Sequence, residues 1–252
     1  MEPITRHLID RGDGASVELF QAHPAGAVPC GAVLFVHGNQ GGRLIGAKEI
    51  AEKGALTRFA SGLNITAAAV SQPGFGSSCG PADFCGPITQ KAIIAALNFL
   101  KKQPSVDPAQ LVLYGHSRGA IAAAIVATQV FDLRAVILSS GVYDLKEVYH
   151  QSSRGIRRAI EIEAGLSEEA FLARSARFHA DKIRAETLLL HGRYDDRAPL
   201  SQAEAMSDAL IEAGSNAMLK IFDSGHELPR KEVQAALRPF LQDVFLKEPT
   251  VH

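Results

Sequence analysis

Ser117 is the residue in this 252-residue chain whose surroundings most clearly announce chemistry. An apolar run, Leu111-Val-Leu-Tyr114, leads into Gly115-His116-Ser117-Arg118-Gly119. Another follows at once, from Ala120 through Ile121 and Ile125 to Val126. The pattern is strand, Gly-x-Ser-x-Gly turn, helix. To leave a strand and enter a helix within so few residues, the chain must hold Ser117 in a strained backbone conformation. Glycines at 115 and 119 remove side chains that would otherwise collide. The hydroxyl then projects above the strand end, near the positive end of the following helix.

A serine hydroxyl is a weak nucleophile near neutral pH unless a base takes its proton and an acid orients that base. The partners are expected after Ser117 in the order acid, then histidine, each at the end of a strand. His226, in Phe222-Asp-Ser-Gly225-His226, combines a strand end, a preceding glycine and the right chain order. His116 is locked beside the nucleophile and His191 ends a buried strand, so both read as structural. The acid has three candidates: Asp195 and Asp196 after Leu188-Leu-Leu190-His191-Gly192, and Asp144 after Ser139-Ser-Gly-Val-Tyr143. Position alone leaves the choice among them open.

Acyl transfer also needs donors for the negative oxygen of the tetrahedral intermediate, each worth roughly 3–4 kcal/mol. The glycine-rich loop His37-Gly38-Asn39-Gln40-Gly41-Gly42 follows the run Ala32–Val36. The backbone N–H groups of Asn39 and Arg118 would form the pair. A phosphate-cradling role is discounted, because the loop lacks the lysine-and-hydroxyl ending of a P-loop and the spacing of a dinucleotide fingerprint. The Arg118 side chain is read either as a contact for an acidic substrate group or as a solvated arginine.

Positioning these residues requires a sheet. Val17–Phe20, Ala32–Val36, 65–70, Leu111–Tyr114, Ala135–Leu138, Thr187–Leu190 and Ala217–Phe222 are short, and several are continuously apolar, as strands covered on both faces are. Helical spacing separates them over 87–103, 199–213 and 229–246, with Pro239 expected to kink or split the last. Such alternation predicts an α/β fold with a mostly parallel sheet of eight strands. An antiparallel hairpin around Gly12-Asp-Gly14 would form its edge. One stretch breaks the rhythm: about 45 residues between Gly141 and Glu186, longer than a crossover helix needs, charged and amphipathic in its middle. Residues 142–186 are expected to form a small helical lid within a single domain spanning 1–252.

Composition narrows the class. At 46% hydrophobic the chain is no disordered segment, and a formal net charge of −1 offers no attraction to nucleic acid or an anionic membrane. No stretch reaches the roughly 18 apolar residues of a membrane span, and no basic-then-apolar leader opens the chain. Its three cysteines, Cys30, Cys79 and Cys85, show no zinc-type spacing, so no metal or cofactor is expected. Cys79 and Cys85 lie close enough for a loop disulfide in an oxidising compartment. The reading is a cytoplasmic protein with reduced thiols. The oligomeric state is left open.

Together these motifs resemble the α/β-hydrolase superfamily, and most closely the prolyl oligopeptidase catalytic domain and dienelactone hydrolase-like branch. The resemblance runs from about residue 15 to 245 and includes Gln72-Pro73-Gly74-Phe75-Gly76-Ser77-Ser78, Ser175–Ile183 and Pro199–Met206. It implies that Asp195 is the acid, with two residues between it and the His-Gly pair. Two departures stand out. The oligopeptidases carry a large N-terminal propeller for which this chain has no room. Gln72 also stands where many relatives have arginine.

The function implied is hydrolysis of a carboxylic ester of a small molecule through an acyl-serine intermediate. A small exopeptidase or amidase using the same residues is the alternative; no acidic pair is evident to hold a peptide's amino terminus. A non-catalytic binding protein ranks third, since all three partners are retained. Gln40, Phe75 and Tyr143 are the residues expected to touch substrate.

Overall fold

Short runs of Ala, Val, Leu and Ile form the sheet in this computed structural model, which describes residues 3–26 and 29–246. The strands are β1 (Thr5–Asp10), β2 (Ser16–Ala22), β3 (Cys30–Val36), β4 (Thr66–Val70), β5 (Val106–His116), β6 (Ala135–Ser139), β7 (Glu186–Gly192) and β8 (Ala217–Phe222). They lie in the order β1-β2-β4-β3-β5-β6-β7-β8. The β1–β2 and β2–β4 pairs are antiparallel and every other pair is parallel. This is the predicted sheet, with the Gly12–Gly14 hairpin at its edge. Each apolar run found in the sequence lies in a strand, to within a residue at the start of β4.

Helices cover both faces. One face carries α1 (Lys48–Glu52), α2 (Ala55–Leu63) and, from the C-terminal end of the chain, α9 (Arg230–Leu246). The other carries α3 (Pro87–Lys101), α4 (Arg118–Ala127) and α8 (Leu200–Glu212). All of α4 is buried, and its run of alanines lets the helix lie close against the sheet. The periodicity that revealed α3, α8 and α9 missed α1, a helix of only five residues without a side-chain cap. It also missed α2, entered and left through left-handed residues at Gly54 and Asn64.

Of the two outcomes expected at Pro239, a split does not occur: α9 runs through it from Arg230 to Leu246. It and Ala235, whose carbonyl loses its helical partner, are both exposed, so the freed oxygen is open to solvent. Leu237, Phe240, Leu241 and Val244 anchor the helix on either side of it.

The stretch from 142 to 186 folds as α5 (Leu145–Tyr149), α6 (Arg154–Glu163), α7 (Glu168–Leu172) and a 3-10 turn over Ala176–Lys182. It leaves the sheet after β6 and returns at β7, beside the C-terminal strand ends. No helix among the described residues is long and apolar enough to cross a membrane.

Candidate active site

Ser117 sits between β5 and α4 with φ +53° and ψ −122°, a conformation that L-residues seldom adopt. The surrounding structure enforces it. The Ser117 N–H donates to the Ser139 carbonyl at 2.8 Å, and the Ala120 N–H closes the turn on the Ser117 carbonyl, also at 2.8 Å. A Cβ on Gly119 would fall on the carbonyl oxygen of Val36, and one on Gly115 on that of Gly119. Helix and strand can therefore approach this closely only with glycine at both positions.

His226 reaches Ser117 from the loop after β8, with 2.9 Å between Nε2 and Oγ. Its Nδ1 stands 2.9 and 3.0 Å from the two oxygens of Asp195, on the loop after β7. With the proton on Nδ1 donated to Asp195, Nε2 is left to accept from the serine hydroxyl. The Asp195 side chain is fully buried. Burial works against its charge, but His226 and the N–H groups of Ala198 and Arg197, both at 2.9 Å, outweigh it and hold the carboxyl below its ordinary pKa.

Three further residues fix this arrangement. Ser140 Oγ, just beyond β6, donates to the His226 carbonyl at 3.0 Å. His191 Nε2 donates to the Ala198 carbonyl at 2.7 Å and lies 3.5 Å from Asp195. Burial lowers the His191 pKa and keeps the ring neutral. His37 Nε2 accepts the Gln72 N–H at 3.1 Å, and Gln72 Nε2 donates to the His37 carbonyl at 2.7 Å, which braces the loop carrying Asn39. The Asn39 and Arg118 N–H groups have no protein acceptor among the described residues.

The rival acids are placed otherwise. Asp144 caps α5, accepting the Glu147 N–H at 3.1 Å. Asp196 is exposed at the mouth of the cavity and is not paired with His226.

A cavity of about 440 Å³ opens over Ser117 and His226, with Asn39 and Arg118 in its wall. Phe84, Ile121, Leu145, Val148, Ile156 and Ile160 supply its apolar lining, four of them from the insert. Of the residues expected to touch substrate, none of Gln40, Phe75 and Tyr143 lines this cavity. The Gln40 amide is consumed by its own loop, donating to the Gly46 carbonyl and to Glu49 and accepting the Gly46 N–H. Phe75 is buried against His37, and Tyr143 lies fully buried beneath Gly141.

Arg118 is neither solvated nor free to meet an acidic substrate. Its side chain is only 6% exposed and bonds Glu163, at the end of α6, at 2.5 Å. The guanidinium also lies over the rings of Phe84 and Phe75, at 4.8 and 5.4 Å. Arg174 of the insert donates to the carbonyls of Asp83 and Phe84, each at 2.8 Å. Glu163, Arg174 and Ser140 escaped sequence reading, since each acts through a partner distant along the chain. Cys85 Sγ donates to the Arg118 carbonyl at 3.1 Å, and all three cysteines are unpaired. Among the described residues no group of three His, Cys, Asp or Glu side chains converges as a metal site would need.

The sequence profile of the prolyl oligopeptidase family matches residues 86–248, which holds all three of these side chains. The chain belongs to the prolyl oligopeptidase family. Its sheet and flanking helices have the α/β-hydrolase fold. A curated relative, the uncharacterized peptidase YuxL of Bacillus subtilis (strain 168), is 26% identical over 152 residues, 59% of this chain and 23% of that protein. A puromycin-hydrolyzing peptidase of Mycobacterium tuberculosis superposes with TM-score 0.80 at 22% identity, over 98% of this chain and 40% of its own. An esterase of Pyrococcus furiosus superposes with TM-score 0.75 at 15% identity, over 96% of this chain and 91% of its own. The chain thus matches less than half the length of the two peptidases and nearly all of the esterase.

Proposed function

We propose that this family member cleaves carboxylic ester bonds of small molecules through an acyl-serine intermediate. The observation that carries the reading is the unbroken contact from Ser117 through His226 to Asp195. Ser117 attacks the carbonyl carbon while His226 takes the hydroxyl proton. Asp195 holds the imidazole in the productive tautomer and stabilises its charged form. The N–H groups of Asn39 and Arg118 receive the oxyanion. His226 then gives its proton to the departing alkoxide, and water releases the acid by the same steps in reverse order. In this reading residues 1–252 form one hydrolase domain and 142–186 its lid. Three unpaired thiols suit a reducing cytoplasm.

The second reading is cleavage of a short peptide or amide by the same residues, favoured by the family match and by the two peptidase relatives. An amide demands firmer protonation of a poorer leaving group. The test is a matched panel of short-chain aryl esters and aminoacyl arylamides, with fluorophosphonate labelling alongside. Ester turnover is expected to exceed amide turnover, and Ser117→Ala to abolish both turnover and labelling. Faster amide cleavage would make the protein a peptidase, and an unlabelled wild type would overturn the nucleophile.

A further inference from the structure

A second chamber, of about 640 Å³, lies on the opposite side of the sheet's C-terminal edge, between the loop 38–43, α1, α2 and the start of α9. It shares Asn39, His116 and Glu227 with the cavity over Ser117. The first of these is the proposed oxyanion donor, and the other two adjoin Ser117 and His226 in the chain. The boundary between the chambers therefore runs beside Ser117 and His226, which line the first chamber alone.

We propose that this second chamber receives the leaving group, and that it suits an alcohol or amine bearing a ring. The inference rests on the nucleophile and base assigned above. Once the substrate oxygen is held by two N–H groups over Ser117, the two remaining substituents of the carbonyl carbon must diverge. One runs beneath the insert and the other crosses the ridge formed by His116 and Glu227.

Reaction order decides which goes where. In the first half-reaction the bond from Ser117 Oγ to carbon forms and the bond from carbon to the leaving atom breaks. That atom takes the proton held by His226, so the freed alcohol must depart while the acyl group stays attached. The insert roofs the first cavity with apolar side chains. The second chamber instead meets solvent past Arg43, Lys53 and Arg230, the first two with side chains 64% and 71% exposed.

The lining decides the class of leaving group. Phe35 meets Phe59 edge-on at 4.9 Å and Tyr114 at 5.1 Å, and all three line the chamber. Such a wall favours a ring by apolar burial and edge contacts. Two of the rim cations are already countered, because Glu49 pairs with Arg43 at 3.0 Å and Lys53 at 3.1 Å.

The experiment uses two esters of one acid that differ only in the alcohol, naphthyl against methyl, with the intact protein. Phe59→Ala is expected to lower kcat/KM for the naphthyl ester about tenfold more than for the methyl ester. The deacylation rate constant, common to both, should not change. Gln234→Trp, at an exposed helical position on the chamber wall, narrows the same space and should act in the same direction if Phe59→Ala fails to fold. Equal losses for both esters, or a changed deacylation rate with alcohol preference intact, would overturn the proposal. If no ester is turned over although Ser117 labels, anilide and methylamide pairs carry the same comparison. An absence of labelling would fail the nucleophile reading by itself.

Discussion

The turn that carries Ser117 and the insert that roofs it face each other across one cavity, but different forces hold them. The turn is fixed by backbone. Strand pairing brings β5 beside β3 and β6, glycines allow the close approach of α4, and Ser117 is held at φ +53°. The insert is fixed by side chains: Tyr143, Leu145, Ile160 and Phe171 pack into the core, and a few polar groups bridge to other segments. Arg118 bonds Glu163, Arg174 takes two carbonyls of the 83–84 loop, and Gln202 Oε1 accepts the N–H groups of Tyr143 and Asp144 at 3.0 and 2.8 Å. The proposed reacting groups therefore depend on a geometry that tolerates almost no change. The roof depends on side-chain contacts rather than on strand pairing.

The largest effect is expected where the backbone-held side is broken. Asp195→Asn should lower kcat by about 10⁴-fold with the fold intact. The asparagine can still accept the Arg197 and Ala198 N–H groups through its oxygen, but its NH₂ cannot accept from His226 Nδ1, and the imidazole loses its tautomer. Asp196→Asn should change kcat by less than about threefold, since that carboxylate is exposed and does not orient His226. Steady-state kinetics of both variants with circular dichroism as the folding control checks the pair. A larger loss at Asp196 would exchange their roles.

On the roof, Glu163→Gln should act on KM more than on kcat. The amide is nearly the size of the carboxylate and can still accept from Phe84 N–H or Arg118, but the buried guanidinium loses its counter-charge. The insert should open more often. We expect a several-fold rise in KM for long acyl esters, a smaller rise for acetyl esters, and faster proteolytic nicking between 150 and 170. A fall in kcat with KM unmoved would mean instead that Glu163 acts on the oxyanion donor through Arg118.

Legibility follows the same division. The Gly-x-Ser-x-Gly turn, the His226 loop and the glycine-rich 37–42 loop could be placed because each is a local demand of backbone geometry on residue type. Even there, choosing Asp195 over Asp196 and Asp144 needed a family resemblance. Nothing local distinguishes a capping aspartate from one that meets a histidine 31 residues away. The roof was opaque for a related reason. Glu163 is 45 residues from Arg118, and neither carries a local sign of the other. Phe75 and Tyr143 were expected at the substrate because aromatic residues beside glycines look accessible, whereas folding turns both inward.

Acid should loosen the backbone-held side first. Burial, the main cause, pushes His37 and His116 down to about 4 although the Gly38 carbonyl partly supports a charged His37. Unfolding lets each ring bind a proton near its ordinary value of about 6.5, so the unfolded chain holds more protons between those limits. Stability is therefore fully expressed above about pH 6.5 and lost as pH falls toward 4. Protonated His37 can no longer accept the Gln72 N–H. Urea midpoints should fall steadily between pH 7 and 5, and His37→Gln should flatten part of that slope. An unchanged slope would mean that His37 is not the group responsible.

One substitution made on each side gives opposite signs, and its smaller arm is the sharper test. Gly119→Ala should prevent stable folding or cost several kcal/mol, because the added methyl meets the Val36 carbonyl and neither backbone can yield. Gly155→Ala, in the first turn of α6, meets nothing within 4 Å and has no positive φ. There alanine only removes conformations from the unfolded chain and raises helix propensity, so a gain of about 0.5–1 kcal/mol is expected. If the insert folds in concert with the sheet, that gain will appear in the global urea midpoint. If the insert opens as a unit of its own, hydrogen exchange will slow in α5 to α7 while the midpoint stays fixed. The second result would mean that a roof held by side-chain contacts is also one that moves independently of the residues it covers.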